Sequence, residues 1–310
     1  MPGLFLRAPF VAALKPRSSR NMSAVEAHGP IPCLAVGTRR DKMHATHIEV
    51  RRQPPLLFSG PSGHPGMRRR GNQVLGLDAI YVLNVKAFDE RLRCVTAQLA
   101  RFGLDAEVIQ DWDPPDITPE IETQWFVPGA LTVAQRSCAL KHIEALRRIR
   151  DRGQTHALVL EDDALLAPDF DDGVKRALAE ASRYPEESVI FIGSGGNFFT
   201  PRSQREPGRS LYPGSRGRFA DSYILGHRAA RRRLDWIGQH RIGEPMDNQF
   251  ETIDRQTGIQ MLWLEDPVVE QGSKNGRFVT AIDKQYPRWL QGMQFHWEKL
   301  RRKWLYQLWR

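Results

Sequence analysis

The chain has 310 residues, 41% of them hydrophobic, and a formal net charge of +9. This length and hydrophobic content allow one or two domains with a sizeable core. The positive charge lies at the ends: residues 1–73 carry 12 Lys/Arg and 3 Asp/Glu, and residues 284–310 carry 7 and 1. Residues 74–283 have a net charge of −6, so the composition argues against a nucleic-acid-binding domain.

The cysteine content and the hydropathy indicate a reduced, cytoplasmic environment. Cys33, Cys94 and Cys138 have no CxxC spacing and no accompanying His cluster, which argues against a disulfide framework and against a zinc site. No apolar stretch approaches the roughly 18 residues that a membrane-spanning helix requires. We therefore expect a cytoplasmic protein.

Composition and periodicity divide the chain into three parts. Residues 1–73 are rich in Pro, Gly and Arg without a sustained hydrophobic period, which predicts a disordered basic extension. Residues 74–283 contain the periodic segments of a folded domain. Residues 284–310 form a basic, aromatic segment whose helical spacing predicts an amphipathic helix, with Trp297, Leu300, Trp304 and Leu308 on one stripe. Such a helix either lies on an anionic membrane surface or packs on the body or another subunit.

Strands and helices are predicted to alternate after residue 74. Short β-branched and apolar runs predict strands at 78–85, 106–109, 156–160 and 188–193. Helical spacing predicts helices at 88–102, from Thr132 to Ile149, and from about Asp169. This alternation predicts an α/β fold with a mostly parallel sheet flanked by helices.

Three acids, Glu161, Asp162 and Asp163, directly follow the strand predicted at 156–160. Ligands of open α/β sheets collect beyond the carboxyl ends of strands, and carboxylate oxygens suit hard divalent cations. If the strand continued through them, its alternation would place Glu161 and Asp163 on one face and Asp162 on the other. Since the sequence has neither GxxxxGK[ST] nor GxGxxG after a strand, a metal would have to bind the phosphates of any nucleotide.

Several short segments carry a further pattern. They are Ile80-Tyr-Val-Leu-Asn84 with Arg91, Leu131-Thr132, Cys138-Ala-Leu with His142, Leu160-Glu-Asp-Asp163 with Phe170, Ser222-Tyr-Ile-Leu225, Pro245-Met-Asp247, and Pro267-Val-Val with Gln271. Together they resemble glycosyltransferase family 25, the lipooligosaccharide-biosynthesis and procollagen galactosyltransferase group, over roughly residues 78–280. Two positions depart from the family pattern: Gln135 stands where the family commonly has Glu, and Lys141 where it has Ser.

The resemblance implies a GT-A type, inverting glycosyltransferase in bacterial surface glycan or lipooligosaccharide synthesis. The expected reaction transfers a sugar, with galactose as the expected one, from a UDP-sugar to a saccharide or glycolipid acceptor. Location is expected to be cytoplasmic, or peripheral on the inner membrane. A catalytically silent protein that binds saccharide or nucleotide as an assembly partner is the alternative. A basic nucleic-acid or membrane adaptor is a third hypothesis, and the charge distribution disfavours its nucleic-acid form.

Site roles follow from the same resemblance. Glu161 and Asp163 are expected to hold Mn²⁺ or Mg²⁺, which would act as a Lewis acid on the departing diphosphate. Nucleotide-sugar binding is expected of four residues, each with an ordinary structural role as its alternative. They are Asn84, Arg91, His142 and Asp162.

A general base must take the proton of the acceptor hydroxyl in an inverting reaction. Asp247 is the first choice, with Glu244 and Glu251 as substitutes. Asp247 precedes a helix predicted at 248–256, so an N-cap role is its alternative.

Overall fold

The computed structural model describes residues 70–273 together with Trp297 and Arg301. The predicted disordered extension, apart from residues 70–73, and the predicted C-terminal amphipathic helix, apart from two of its residues, lie outside the described residues. Residues 70–73 belong to a short helix. Asn72 in this helix is buried, and its side chain donates to the carbonyl of Asp105 and accepts from the amide of Asp105.

The described residues contain seven α-helices and nine β-strands. The helices are α1 Arg70–Val74, α2 Asp89–Arg101, α3 Pro119–Trp125, α4 Val133–Asp151, α5 Phe170–Ala181, α6 His227–Ile237 and α7 Met246–Thr257. The strands are β1 Ala79–Leu83, β2 Glu107–Ile109, β3 Ala157–Glu161, β4 Ala164–Leu166, β5 Ser188–Phe191, β6 Leu211–Pro213, β7 Ser222–Leu225, β8 Gln260–Leu264 and β9 Val269–Gln271.

Seven of these strands form one sheet in the order β2-β1-β3-β7-β5-β8-β6. Five of the seven run in one direction, and β7 and β6 are antiparallel to their neighbours. The predicted α/β class with a mostly parallel sheet flanked by helices is therefore confirmed. Strands β4 and β9 form a separate antiparallel pair.

Alternating side chains of the strands feed two cores, one on each face of the sheet. Tyr81 and Leu83 of β1 contribute to the core that also contains buried residues of α4, α6 and α7. Ile80 and Val82 of the same strand contribute to the core beneath α2 and α5. Burial on both faces explains why β1 and β3 read as continuous apolar runs in the sequence.

Helix α4 begins where the sequence predicts. The side chain of Thr132 accepts from the amide of Gln135 at 3.3 Å, and Oε1 of Gln135 accepts from the amide of Thr132 at 2.9 Å. This capping box satisfies two amide groups that a helix start otherwise leaves without partners. Gln135, a departure from the family pattern, therefore retains the capping function that Glu serves at this position of a box.

The strand before the acidic triplet ends earlier than alternation would require. Strand β3 ends at Glu161, and Asp162 and Asp163 form the turn that leads into β4. The strand therefore does not continue through Asp163, and strand alternation does not place Glu161 and Asp163 on one face. A tight turn, not a strand face, brings the three carboxylates together.

Of the helices in residues 70–273, none combines the length and apolar character that crossing a bilayer would require.

A fully buried ion pair joins α6 to α7, the helix that begins beside the acidic turn. Nε and Nη2 of Arg233 donate to the two carboxylate oxygens of Asp254 at 2.8 and 2.6 Å, and both side chains are 0% exposed. The guanidinium also lies 3.9 Å from the ring centroid of Phe250. The pair fixes how α7 packs against α6.

Replacing Asp254 with Asn should strongly destabilise the protein, because the buried guanidinium of Arg233 would lose its counter-charge. We expect the free energy of unfolding to fall by about 3–5 kcal/mol, measured by urea denaturation. Glu186→Gln is the matched control, since the Glu186–Arg228 pair is exposed and is expected to contribute at most about 1 kcal/mol. Equal losses in the two variants would contradict the argument.

Candidate functional site

A pocket of about 320 Å³ lies at the edge of the sheet where β1 and β3 end. Its walls come from the residue after β1, the acidic turn after β3, the amino-terminal half of α4, and the start of α7. The side chains that bear on its chemistry are Asn84, Arg91, Cys138, Glu161, Asp162, Asp163 and Asp247. The lining residues are up to 190 positions apart in the sequence, from Leu83 to Ser273. Some of them come together because parallel strands end at the same edge of the sheet.

Asp162 is held by two of the residues predicted to bind the nucleotide sugar. Nδ2 of Asn84 donates to Oδ2 of Asp162 at 2.8 Å, and Nη1 of Arg91 donates to Oδ1 at 3.0 Å. Burial raises the pKa of Asp162 to about 6, although Arg91 and Asn84 act in the opposite direction. Arg91 also stacks over Phe88, 4.4 Å from its ring centroid. The structure brings these three predicted residues together as one hydrogen-bonded wall.

Glu161 contacts α4 on one side and β9 on the other. Its Oε1 lies 3.7 Å from Sγ of Cys138 and 3.4 Å from Nε2 of His142, and its Oε2 accepts from Nε2 of Gln271 at 3.3 Å. Burial, reinforced by the charge of Asp163, raises the pKa of Glu161 above its ordinary value. The side chain keeps 24% of its surface accessible, so the carboxylate can be reached from the pocket.

Asp163 has one satisfied and one unsatisfied carboxylate oxygen. Oδ2 accepts from the amide of Ser273 at 3.1 Å, whereas Oδ1 is buried with no hydrogen-bond partner among residues 70–273. A buried carboxylate oxygen without a donor is costly unless a cation or water completes it. Glu161 and Asp163 therefore fit an oxygen-ligated divalent cation such as Mg²⁺ or Mn²⁺.

Asp221 is a site residue that sequence reasoning missed. It precedes β7, and its backbone carbonyl accepts from the amide of Glu161 at 2.9 Å. Burial raises the pKa of Asp221 well above its ordinary value, and the charges of Glu161, Asp163 and Asp247 add to this shift. A Cβ on Gly193 would clash with Oγ of Ser222 and would lie 2.8 Å from Oδ2 of Asp221, so the close approach of these two side chains requires a glycine there. An isolated Asp before a strand gave no sequence signal for this placement.

His142 lies behind Glu161 and does not line the pocket. The side chain is 0% exposed, and Nδ1 lies 3.0 Å from the hydroxyl of Tyr223. Burial lowers the pKa of His142 to about 3, which keeps the imidazole neutral. Of the four residues expected to contact a nucleotide sugar, His142 is the one that the structure withdraws from the pocket surface, and its contact is with Glu161.

Asp247 lines the pocket from the first turn of α7. The helix begins at Met246 with Pro245 at the N-cap position, so Asp247 is not the N-cap residue. Its Oδ1 accepts from the amide of Ala220 at 2.6 Å. Of the two substitutes, Glu244 accepts from the hydroxyl of Thr252, and Glu251 accepts from the amide of Gly217. Neither of them lines the pocket.

Lys141, the second departure from the family pattern, is buried beside the pocket with its own counter-charge. Nζ donates to Oδ1 of Asp113 at 2.7 Å and to the carbonyl of Asp111 at 2.6 Å. Burial lowers the pKa of Lys141, and Asp113 opposes that shift. The loop between these acids holds Trp112 at a φ of 66°, and the hydroxyl of Ser137 donates to the carbonyl of Trp112 at 2.6 Å. Helix α4 thus clamps a left-handed turn at the pocket rim.

Lys141 and Asp113 should show strong energetic coupling. We expect Lys141→Met and Asp113→Asn each to lower the free energy of unfolding by about 3 kcal/mol, because each leaves a buried charge unpaired. The double variant should lose clearly less than the sum of the two, which a double-mutant cycle by urea denaturation measures. The exposed pair Lys175 and Asp171 is the matched control, for which additive effects are expected. Additive losses of unfolding free energy at Lys141 and Asp113 would show that the two side chains are not energetically coupled.

Comparison with known proteins identifies one matching family and a weakly similar relative. The family described as glycosyltransferase family 25 (LPS biosynthesis protein) matches residues 77–204. A Drosophila melanogaster protein described as "Glycosyltransferase 25 family member" is 25% identical over 130 residues, which is 38% of this chain and 21% of the relative. The matching region therefore spans about a fifth of that relative's length. The family match contains the wall formed by Asn84, Arg91 and Asp162 and the acidic turn, and it ends before β7 and α7.

Proposed function

We propose that this chain, a member of glycosyltransferase family 25, transfers a sugar from a UDP-sugar to a saccharide acceptor with inversion at the anomeric carbon. The observation that carries the proposal is the buried acidic turn at the carboxyl edge of the sheet. There an unsatisfied oxygen of Asp163 lies near Glu161 in the same pocket as Asp247. A pocket with a cation site and a separate carboxylate suits transfer from a nucleoside diphosphate.

The donor side of the pocket would be formed by the acidic turn. Glu161 and Asp163 would hold Mn²⁺ or Mg²⁺, which supplies a Lewis acid for the charge that develops on the departing diphosphate. Ser273 and Gln271, which bond the two carboxylates, fix their orientation in the way that hydrogen-bonded neighbours orient metal ligands.

The nucleoside would be bound by the wall around Asp162. The carboxylate of Asp162 already accepts from Asn84 and Arg91, so its orientation is set before a ligand enters. Such pre-organisation lowers the entropic cost of binding a flexible nucleotide. The ring of Phe88 and the guanidinium of Arg91 add a flat face and a positive charge to the same wall.

Asp247 would act as the general base toward the acceptor hydroxyl. It belongs to a different element from the proposed metal ligands, so one carboxylate can receive the proton while others serve the leaving group. The hydrogen bond from the amide of Ala220 holds one of its oxygens in place. General bases contribute about 10²–10⁴-fold to rate when they are positioned in this way.

Galactose as the donor sugar and a glycolipid of a bacterial surface glycan as the acceptor complete the proposal. Support for them comes from the sequence resemblance and from the family description, which names LPS biosynthesis. A cytoplasmic protein peripheral to the inner membrane would suit such an acceptor, and the basic, aromatic sequence of residues 284–310 supports that location.

UDP should bind the full-length chain in a metal-dependent manner. Isothermal titration calorimetry with UDP is expected to show binding with Mn²⁺ and at least about tenfold weaker binding without it, a difference of about 1.4 kcal/mol. Asp163→Asn should abolish the dependence on Mn²⁺, because the substitution replaces a charged ligand by a neutral amide. Asp172→Asn, an exposed acid on α5, is the matched control and should bind like the unmodified chain. A folded, unmodified protein that binds no UDP either with or without Mn²⁺ would exclude the nucleotide-diphosphate site.

Asp247→Asn should remove turnover while leaving donor binding nearly unchanged. With UDP-galactose and saccharide acceptors, kcat is expected to fall by about 10²–10⁴-fold, and UDP affinity measured by calorimetry should stay within about threefold. Glu244→Gln is the control, since Glu244 lies outside the pocket. UDP binding without turnover of any tested UDP-sugar in the unmodified chain would instead favour the silent binding partner.

A further inference from the structure

A second group of metal-ligating side chains lies beside the acidic turn. Cys138 and His142 are one helical turn apart on α4, so their side chains lie on the same face of the helix. Both contact the carboxylate of Glu161 at the end of β3: Sγ lies 3.7 Å and Nε2 3.4 Å from Oε1. All three ligand atoms lie within 4.8 Å of one another.

Two of these separations, both to Oε1 of Glu161, are close to the edges of a tetrahedral zinc site. Bonds of about 2.3 Å from zinc to sulfur and about 2.0 Å to nitrogen and oxygen place neighbouring tetrahedral ligands roughly 3.3–3.6 Å apart. The sulfur–oxygen and nitrogen–oxygen distances therefore need to change by only a few tenths of an ångström. Thiolate and imidazole are donors that Zn²⁺ accepts readily and that Mg²⁺ and Mn²⁺ do not favour.

The surroundings of His142 also resemble those of a metal-ligating histidine. Nδ1 lies 3.0 Å from the hydroxyl of Tyr223, and the imidazole and phenol rings are stacked at 5.8 Å between centroids. When Nδ1 donates to that hydroxyl, Nε2 presents its lone pair toward Cys138 and Glu161. The orientation of the ring is thus fixed by a contact on the side away from the three ligand atoms.

We propose that Cys138, His142 and Glu161 bind Zn²⁺, with the fourth coordination position open to the pocket. Cys138 and Glu161 line that pocket, which gives the ion its path of entry. The sequence argued against a zinc site because motifs such as CxxC reveal only ligands that are close together in the sequence. Here the fold brings two residues of a helix to the end of a strand 19 residues later.

The site shares Glu161 with the proposed Mn²⁺ or Mg²⁺ site, so the two ions compete for one carboxylate. Zn²⁺ would then lower the affinity for UDP, and a chelator selective for zinc would restore it. This consequence rests on the proposed function, whereas binding of the ion itself does not.

Cobalt substitution tests the site on the full-length chain without nucleotide or activity. Co²⁺ is expected to produce a thiolate-to-metal charge-transfer band in the near ultraviolet at one equivalent. Cys138→Ser should abolish the band, whereas Cys94→Ser and Cys33→Ser, which remove the other two thiols, should retain it. Absence of the band in the unmodified folded chain, or its persistence in Cys138→Ser, would overturn the proposal.

Zinc calorimetry on the same proteins gives an independent measurement. Zn²⁺ should bind with a stoichiometry of one, and Cys138→Ser should weaken it at least about 100-fold. Tyr223→Phe removes only the hydroxyl that orients His142 and should weaken binding by about tenfold, within the range for partners of metal ligands. Circular dichroism checks that each variant is folded. Zinc affinity that is unchanged in both variants would place the ion elsewhere and refute the assignment.

Discussion

Repulsion among buried carboxylates is the constraint on which the site depends. Five acids gather at one edge of the sheet: Glu161, Asp162, Asp163, Asp221 and Asp247. Their surroundings compensate them in different ways. Glu161 accepts from the side chain of Gln271. Asp162 accepts from the guanidinium of Arg91 and from the side-chain amide of Asn84. Asp247 accepts from a backbone amide, and burial raises the pKa of Asp221, which favours its neutral form. Asp163 keeps an oxygen without a donor in the described residues. Burying such a cluster costs free energy on folding, and a cation bound there would offset that cost.

The fold was predictable from the sequence to the extent that its segments are periodic. Thr132 marks the start of helix α4 as predicted, because the capping box is a local signal. The positions of β1, β2, β3 and β5 follow from short apolar runs, because the sheet is buried on both faces. The reversal of β7 in the middle of the sheet had no such signal. Its residues, Ser222–Leu225, read as a buried strand in either direction, and only the pairing with β3 and β5 sets the orientation.

The site was predictable where its residues belong to contiguous motifs. The acidic turn, which the strand end indicated, lines the pocket together with Asn84, Arg91 and Asp247, which the family resemblance indicated. His142 was expected from the motif to bind the nucleotide sugar, but its side chain is fully buried and contacts Glu161 instead. Lys141 departs from the family pattern, and the sequence did not show that its charge is paired with Asp113, because the two residues are 28 positions apart. Long-range compensation of this kind leaves no mark in a single sequence.

Strand β7 has a consequence for how this protein can be divided. The family match ends at residue 204, yet the strand between β3 and β5 comes from residues 222–225. A chain cut at the end of the match would also lose β8, so β5 would have no neighbour and β3 would expose a row of unpaired amides and carbonyls. An excised 77–204 fragment is therefore expected to aggregate. The region covered by the family match is therefore shorter than the unit that folds.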